Sequence, residues 1–148
     1  MARILIIGYG NPFKSDDGLG WHAAGLLRQQ FSSSDIRVVQ THQLTPEMAE
    51  EASEVELALF IDARQGGQPG QLACETLSEN AQPTAGYSHD FSPASILNLA
   101  RELYGKQPRA YLLTLTGQNF GDGDLLSEPV SAALPNLVAK VKSLISEE

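Results

Sequence analysis

Residues 2–20 read ARILIIGYGNPFKSDDGLG, and the fold follows from how this stretch is parsed. Residues 2–8 are a short, leucine- and isoleucine-rich run closed by glycine. Continuous apolar character, with no polar residue at every second position, predicts a strand buried on both faces, the kind found in parallel sheets. A polar loop follows. From Gly18 to Phe31 the spacing changes to that of a helix, with Leu19, Ala23, Leu26 and Leu27 on one side. A buried strand, a loop and a helix with one apolar side make the first unit of an α/β domain.

The same alternation continues outward. Residues 36–41 (IRVVQT) predict a second strand. Thr45 followed by Pro46 reads as an N-cap with proline at the first helical position, opening a short helix to about Ser53. Residues 56–63 (ELALFIDA) predict a third strand, and residues 71–77 an edge strand reached through the glycine-rich turn at 66–70. A helix is expected over residues 92–104, with Pro93 in its first turn and Ile96, Leu97, Leu99, Ala100 and Leu103 on its apolar face. Residues 109–116 (RAYLLTLT) predict the last core strand. The final helix is expected from about Pro129, with Pro135 kinking or delaying it. The order β-α-β-α-β-β-α-β-α predicts a mostly parallel sheet covered by helices on both faces, in one domain over residues 1–148.

Charge and composition narrow the function. Eighteen acidic against ten basic residues give a net charge of −8 at pH 7. No Lys/Arg cluster interrupts that balance, which argues against a nucleic-acid surface or a polybasic membrane anchor. The longest apolar stretch near the N-terminus, residues 4–7, is far shorter than a signal or membrane segment, so a cytoplasmic protein is expected. No surplus apolar helix face calls for a dimer, and a monomer is expected. Cys74 is the single cysteine and reads as a small buried hydrophobe on an apolar strand.

Ligands of open parallel sheets bind at the carboxyl ends of the strands. Three acid- or imidazole-bearing segments fall there: Asp16-Asp17 after strand one, Asp62 at the end of strand three, and His89 before the helix at Ser92. Asp17, Asp62 and His89 can thus meet at one rim. Gly8-x-Gly10 suggests a dinucleotide loop, but the third glycine position holds Phe13, and two adjacent acids repel phosphate. Two carboxylates and an imidazole instead suit Ni, Zn, Mn or Fe. The alternative reading is helix capping, with Ser15 or Asp16 as N-cap and Asp17 favoured by the helix dipole.

These residues also carry a resemblance. Residues 4–11 (ILIIGYGN) with Asp16-Asp17-Gly18-x-Gly20, then Phe60-Ile61-Asp62-Ala63, Ser88-His89 and Leu126-Ser127-x-x-Val130, resemble the hydrogenase maturation endopeptidases over essentially the whole chain. The resemblance implies a three-layer α-β-α sandwich around a twisted, mostly parallel five-stranded sheet. It also implies an endopeptidase that removes the C-terminal extension of a nickel-loaded [NiFe] hydrogenase large-subunit precursor. On that likeness Asp17, Asp62 and His89 complete the coordination of nickel supplied by the precursor, and no tightly bound resting metal is expected. Many relatives have Asp-Glu where this chain has Asp16-Asp17, and Asp-Gly-Gly-Thr where it has a segment containing His42-Gln43-Leu44. The latter looks like the branch serving bidirectional, NAD-linked hydrogenases. Asp16, His42 and Gln43 then become candidates for substrate recognition.

Whether nickel polarises the scissile carbonyl, nickel activates water, or a carboxylate acts as general base is left open. Two other readings use the same residues. One is a receiver-like phosphoacceptor domain, which also places acids after strands one and three. The other is an assembly factor that binds metal and cuts nothing.

Overall fold

The computed structural model describes residues 2–77 and 91–147 of the chain. Five strands form one sheet in the order β2-β1-β3-β5-β4. β1 (Ile4–Tyr9) lies between β2 (Ile36–Thr41) and β3 (Leu57–Arg64), and β5 (Arg109–Thr116) pairs with the far side of β3. These four strands are parallel, so their carboxyl ends share one rim. β4 (Leu72–Leu77) closes the edge antiparallel to β5. The expected mostly parallel, five-stranded α/β sandwich is the architecture found.

Burial on both sides of β1 explains its unbroken apolar run. Ile4 and Ile6 join Leu57, Leu59 and Ile61 of β3 beneath α1 (Leu19–Gln30) and α4 (Glu128–Ser146). Leu5 and Ile7 face the other way with Ala58 and Phe60, beneath α2 (Met48–Ser53) and α3 (Pro93–Tyr104). Each wholly buried Leu, Ile or Phe contributes roughly 1.5–3 kcal/mol, so the two central strands anchor both layers at once.

Glycines bring α1 down onto the strands. A Cβ on Gly8 would collide with the Gly20 carbonyl, and one on Gly20 with the Ile61 and Tyr9 carbonyls. A Cβ on Gly18 would come within 2.6 Å of the Pro12 Cα. The spacing Gly8-x-Gly10 with Gly18-x-Gly20 is therefore a close-packing device between the start of a helix and two strand ends.

Several boundaries and burials differ from the sequence expectation. β1 passes through Gly8 to Tyr9, and β3 runs on to Arg64, so Asp62 lies within the strand. The helix after Thr45 starts at Met48 with Glu47 at its cap position; Thr45 and Pro46 make a preceding turn through carbonyl bonds to Met48 and Ala49. Ser92 does cap α3, its hydroxyl accepting from the Ser95 N–H at 3.1 Å. α4 begins at Glu128 and continues through Pro135. Pro135 and Ser131 are exposed, so the Ser131 carbonyl that loses its helical partner faces water. Leu26 and Leu103, expected in the core, are 38% and 63% exposed. Cys74 is exposed as well, on β4, the outer strand of the sheet.

Candidate functional site

Residues 10–18 cross the rim from β1 to α1 and hold both acids. Asn11 organises the turn: its side-chain carbonyl accepts the Phe13 N–H at 2.9 Å, and its own N–H donates to the Asp17 carboxylate at 3.0 Å. A short 3-10 turn, Ser15–Gly18, then leads directly into α1. Neither acid caps that helix, contrary to the capping reading. The cap position is Gly18, which has no side chain to offer.

Asp16 and Asp17 face opposite worlds. Asp16 is fully buried. Its carboxylate accepts the backbone N–H groups of Gln118, Asn119 and Ser127 at 2.8, 3.0 and 2.8 Å, and the Ser127 hydroxyl at 2.7 Å. Burial alone would raise its pKa, but these four bonds outweigh burial and hold it below the usual carboxylate value. Asp16 therefore ties the β1–α1 loop to the β5–α4 loop, and it presents nothing to a ligand. Gly117 makes the wrap possible, since a Cβ there would come within 2.9 Å of the Asp16 Cβ.

Asp17 is only partly buried, with one carboxylate bond described, to Asn11. Asp62 stands on the neighbouring strand, on the sheet face shared with Ala58 and Phe60. Burial pushes its carboxyl up to about 7, helped by the nearby negative charge of Asp17 and opposed by hydrogen bonds from the Ala63 N–H and the Tyr9 hydroxyl. The Ala63 bond is 2.7 Å long. Among the described residues, no ion pair engages either acid. Two carboxylates within electrostatic reach and, among the described residues, without a cation between them make a position that attracts positive charge.

Among the described residues no three His, Cys, Asp or Glu side chains come together as a metal-holding group. Asp17 and Asp62 alone are an incomplete set. His89, the third expected ligand, lies outside the described residues. His42 and Gln43 are exposed at the end of β2, on the same rim. The ring of His42 meets that of Phe13 edge to face, with centroids 6.5 Å apart.

Three contributors escaped the sequence reading. Tyr9, which bonds Asp62, stands in the recognised motif at residues 4–11 without a role of its own. Thr114, 6% exposed, sits beside Asp62 in the β3–β5 register. Ser127 belonged to a recognised motif but had no role until Asp16 was found against it. A rule that residues paired with a candidate acid share its face would have found Thr114.

No protein-family model matches the chain, and no curated protein is significantly similar to it. Solved structures are. The chain is similar to the hydrogenase maturating endopeptidase HybD from E. coli, with a TM-score of 0.83 and 19% identity, over 98% of this chain and 93% of that one. It is similar to the [NiFe] hydrogenase maturation protease HycI from Thermococcus kodakarensis KOD1, with a TM-score of 0.80 and 19% identity over the same shares. A hydrogenase 2 maturation peptidase from the Thaumarchaeota archaeon SCGC_AB-539-E09 gives a TM-score of 0.75 and 23% identity, covering 99% of both chains. At these identities the likeness is one of fold.

Proposed function

We propose that this chain is a hydrogenase maturation endopeptidase. It removes the C-terminal extension from a nickel-loaded [NiFe] hydrogenase large-subunit precursor, with Asp17, Asp62 and His89 recognising the nickel. The observation that carries this reading is the pairing of Asp17 and Asp62 at the carboxyl rim of the sheet, uncompensated by any described cation. The fold shared with hydrogenase maturation proteases over nearly the whole chain supports it. So does the placement of Asp17 by the glycine-rich segment that carries the sequence resemblance, within electrostatic reach of Asp62 on β3.

On this reading the nickel arrives with the substrate. The two carboxylates and the imidazole fill positions left open in its shell, so an unloaded precursor offers nothing to grip and is left intact. Asp62, whose ordinary charge is suppressed by burial and by Asp17, is ionised when the cation enters, and the released proton passes to solvent. Nickel held by Asp17, Asp62 and His89 would supply Lewis-acid chemistry, polarising the scissile carbonyl or activating water. The enzyme works as a cytoplasmic monomer. The finer assignment, to the branch serving bidirectional NAD-linked hydrogenases, rests on His42-Gln43-Leu44, where two polar residues are exposed at the rim and Leu44 is buried beneath them.

The test is incubation of the purified chain with a large-subunit precursor, loaded or not loaded with nickel, followed by measurement of precursor mass. Loss of a C-terminal fragment only from the loaded form is expected. An unshortened loaded precursor sinks the endopeptidase reading and leaves a binding module. Labelling of Asp62 by a small phosphoryl donor with Mg²⁺ would instead favour the receiver-like domain.

A further inference from the structure

The two most exposed large hydrophobic side chains among the described residues both stand at the rim of the candidate site. Leu125 is 77% exposed and Phe13 64%. They occupy different loops, one after β1 and one after β5, and the backbone joins those loops directly. The Gly123 N–H donates to the Phe13 carbonyl at 3.0 Å, and the Ser15 N–H donates to the Gly123 carbonyl at 2.9 Å. Lys14 and Gly123 form a parallel bridge, and the Lys14 ammonium pairs with Asp122 at 2.6 Å. Beneath them the Ser15 hydroxyl donates to the Gly121 carbonyl at 2.8 Å, and Asp16 receives its four bonds.

This geometry separates holding from exposure. The loops are fixed by polar contacts, including a left-handed Ser15 at φ 51°, while the apolar side chains at their tips are left in water. Leu126 turns inward against the core, so the exposure of its neighbour Leu125 is not a consequence of a loose loop. His42 braces one side of Phe13 edge to face. Large apolar groups held rigidly in water lose little conformational entropy when a partner covers them, and such groups are the usual anchors of an interface.

We infer that Phe13 and Leu125 form an apolar clamp for the precursor, gripping a hydrophobic side chain in the extended segment next to the bond that is cut. The inference rests on the endopeptidase reading for the identity of the partner. Its occupant follows from position: Phe13 lies in the loop that carries Asp17, and Leu125 in the loop bonded to it, so a segment drawn to the carboxylates arrives beside this pair of loops. The clamp fixes the segment's register, while the acids engage the metal.

The test separates binding from cutting. Affinity is measured for a nickel-loaded precursor altered at the scissile bond so that it resists cutting, using the chain with and without Phe13→Ala plus Leu125→Ala. Cleavage of the unaltered precursor is measured in parallel with the same chains. Leu103→Ala, an equally exposed leucine at the end of α3, serves as control. The clamp predicts that the double substitution weakens binding about tenfold or more, the loss of a modest interface anchor. In cleavage it predicts a raised KM with kcat nearly unchanged, and no effect of Leu103→Ala. Phe13→Leu should restore most of the binding. An affinity and KM unmoved by the double substitution, or moved equally by Leu103→Ala, overturn the clamp even if the wild type cuts. If the wild type does not cut, the endopeptidase reading fails, and the binding arm still decides whether the clamp exists. No measurable binding by any variant overturns both.

Discussion

Two adjacent aspartates with the same local chemistry take different tasks because a 3-10 turn points consecutive side chains in different directions. Asp16 accepts four donors in a dry site; replacing it with Asn turns one acceptor oxygen into a donor facing donors. Asp16→Asn is expected to cost about 2–4 kcal/mol of stability, read as a shift in the denaturation midpoint. Because its folded pKa is depressed, Asp16 stabilises the fold above the normal carboxylate range and loses that contribution as pH falls through it. Asp17→Asn should stay within about 1 kcal/mol of the wild type yet abolish precursor processing. Equal stability losses in the two variants would contradict this division of labour. Asp62 has the opposite sign. Its folded pKa is raised to about 7, so its favourable contribution is complete below about pH 4 and is lost as pH rises through 7. Asp62→Asn should therefore be more stable than the wild type at pH 8.5, by up to about 4 kcal/mol, with the advantage fading by pH 4. A difference that does not change with pH would contradict the raised pKa.

At the scale of elements, the decisive contact is the first turn of α1 on the ends of β1 and β3. Gly20 adopts no unusual backbone angle; it is needed because the Tyr9 and Ile61 carbonyls occupy the space of a side chain. Gly20→Ala must push the helix off the sheet, and a loss of about 3 kcal/mol or more is expected. Gly66→Ala offers the comparison. It has a positive φ but nothing within 4 Å, so only local backbone strain of about 1–2 kcal/mol applies. Thermal unfolding of the two variants orders them; a milder effect at Gly20 would contradict the close-packing account. The order of elements was legible in the sequence because period and punctuation agreed at each one, as in residues 109–116, where the expected strand and β5 coincide. Cap positions were less legible. Thr45 and Asp16 have good capping chemistry, but a cap is defined by where the first helical turn closes, and tertiary hydrogen bonds moved that point.

For the molecule as a whole, the reading places the metal on the substrate. Chelator treatment of the chain, followed by chelator removal, should leave processing of a nickel-loaded precursor unchanged, whereas stripping the precursor should abolish it. A requirement for metal re-addition to the chain would mean a resident ion and would overturn the proposed division between partners.

The chain's local chemistry was enough to specify a doubly covered, mostly parallel sheet, because unbroken apolar strands are stable only when both faces are buried. It also put Asp17 and Asp62 at one end of that sheet, because parallel strands deliver their carboxyl-terminal loops to a common rim. It could not say which of two neighbouring acids is spent on holding loops together, nor that Tyr9 and Thr114 border Asp62, nor that Cys74 faces water. Those outcomes depend on strand neighbours, side-chain direction and desolvation, which come into being only when segments distant in the chain are packed together.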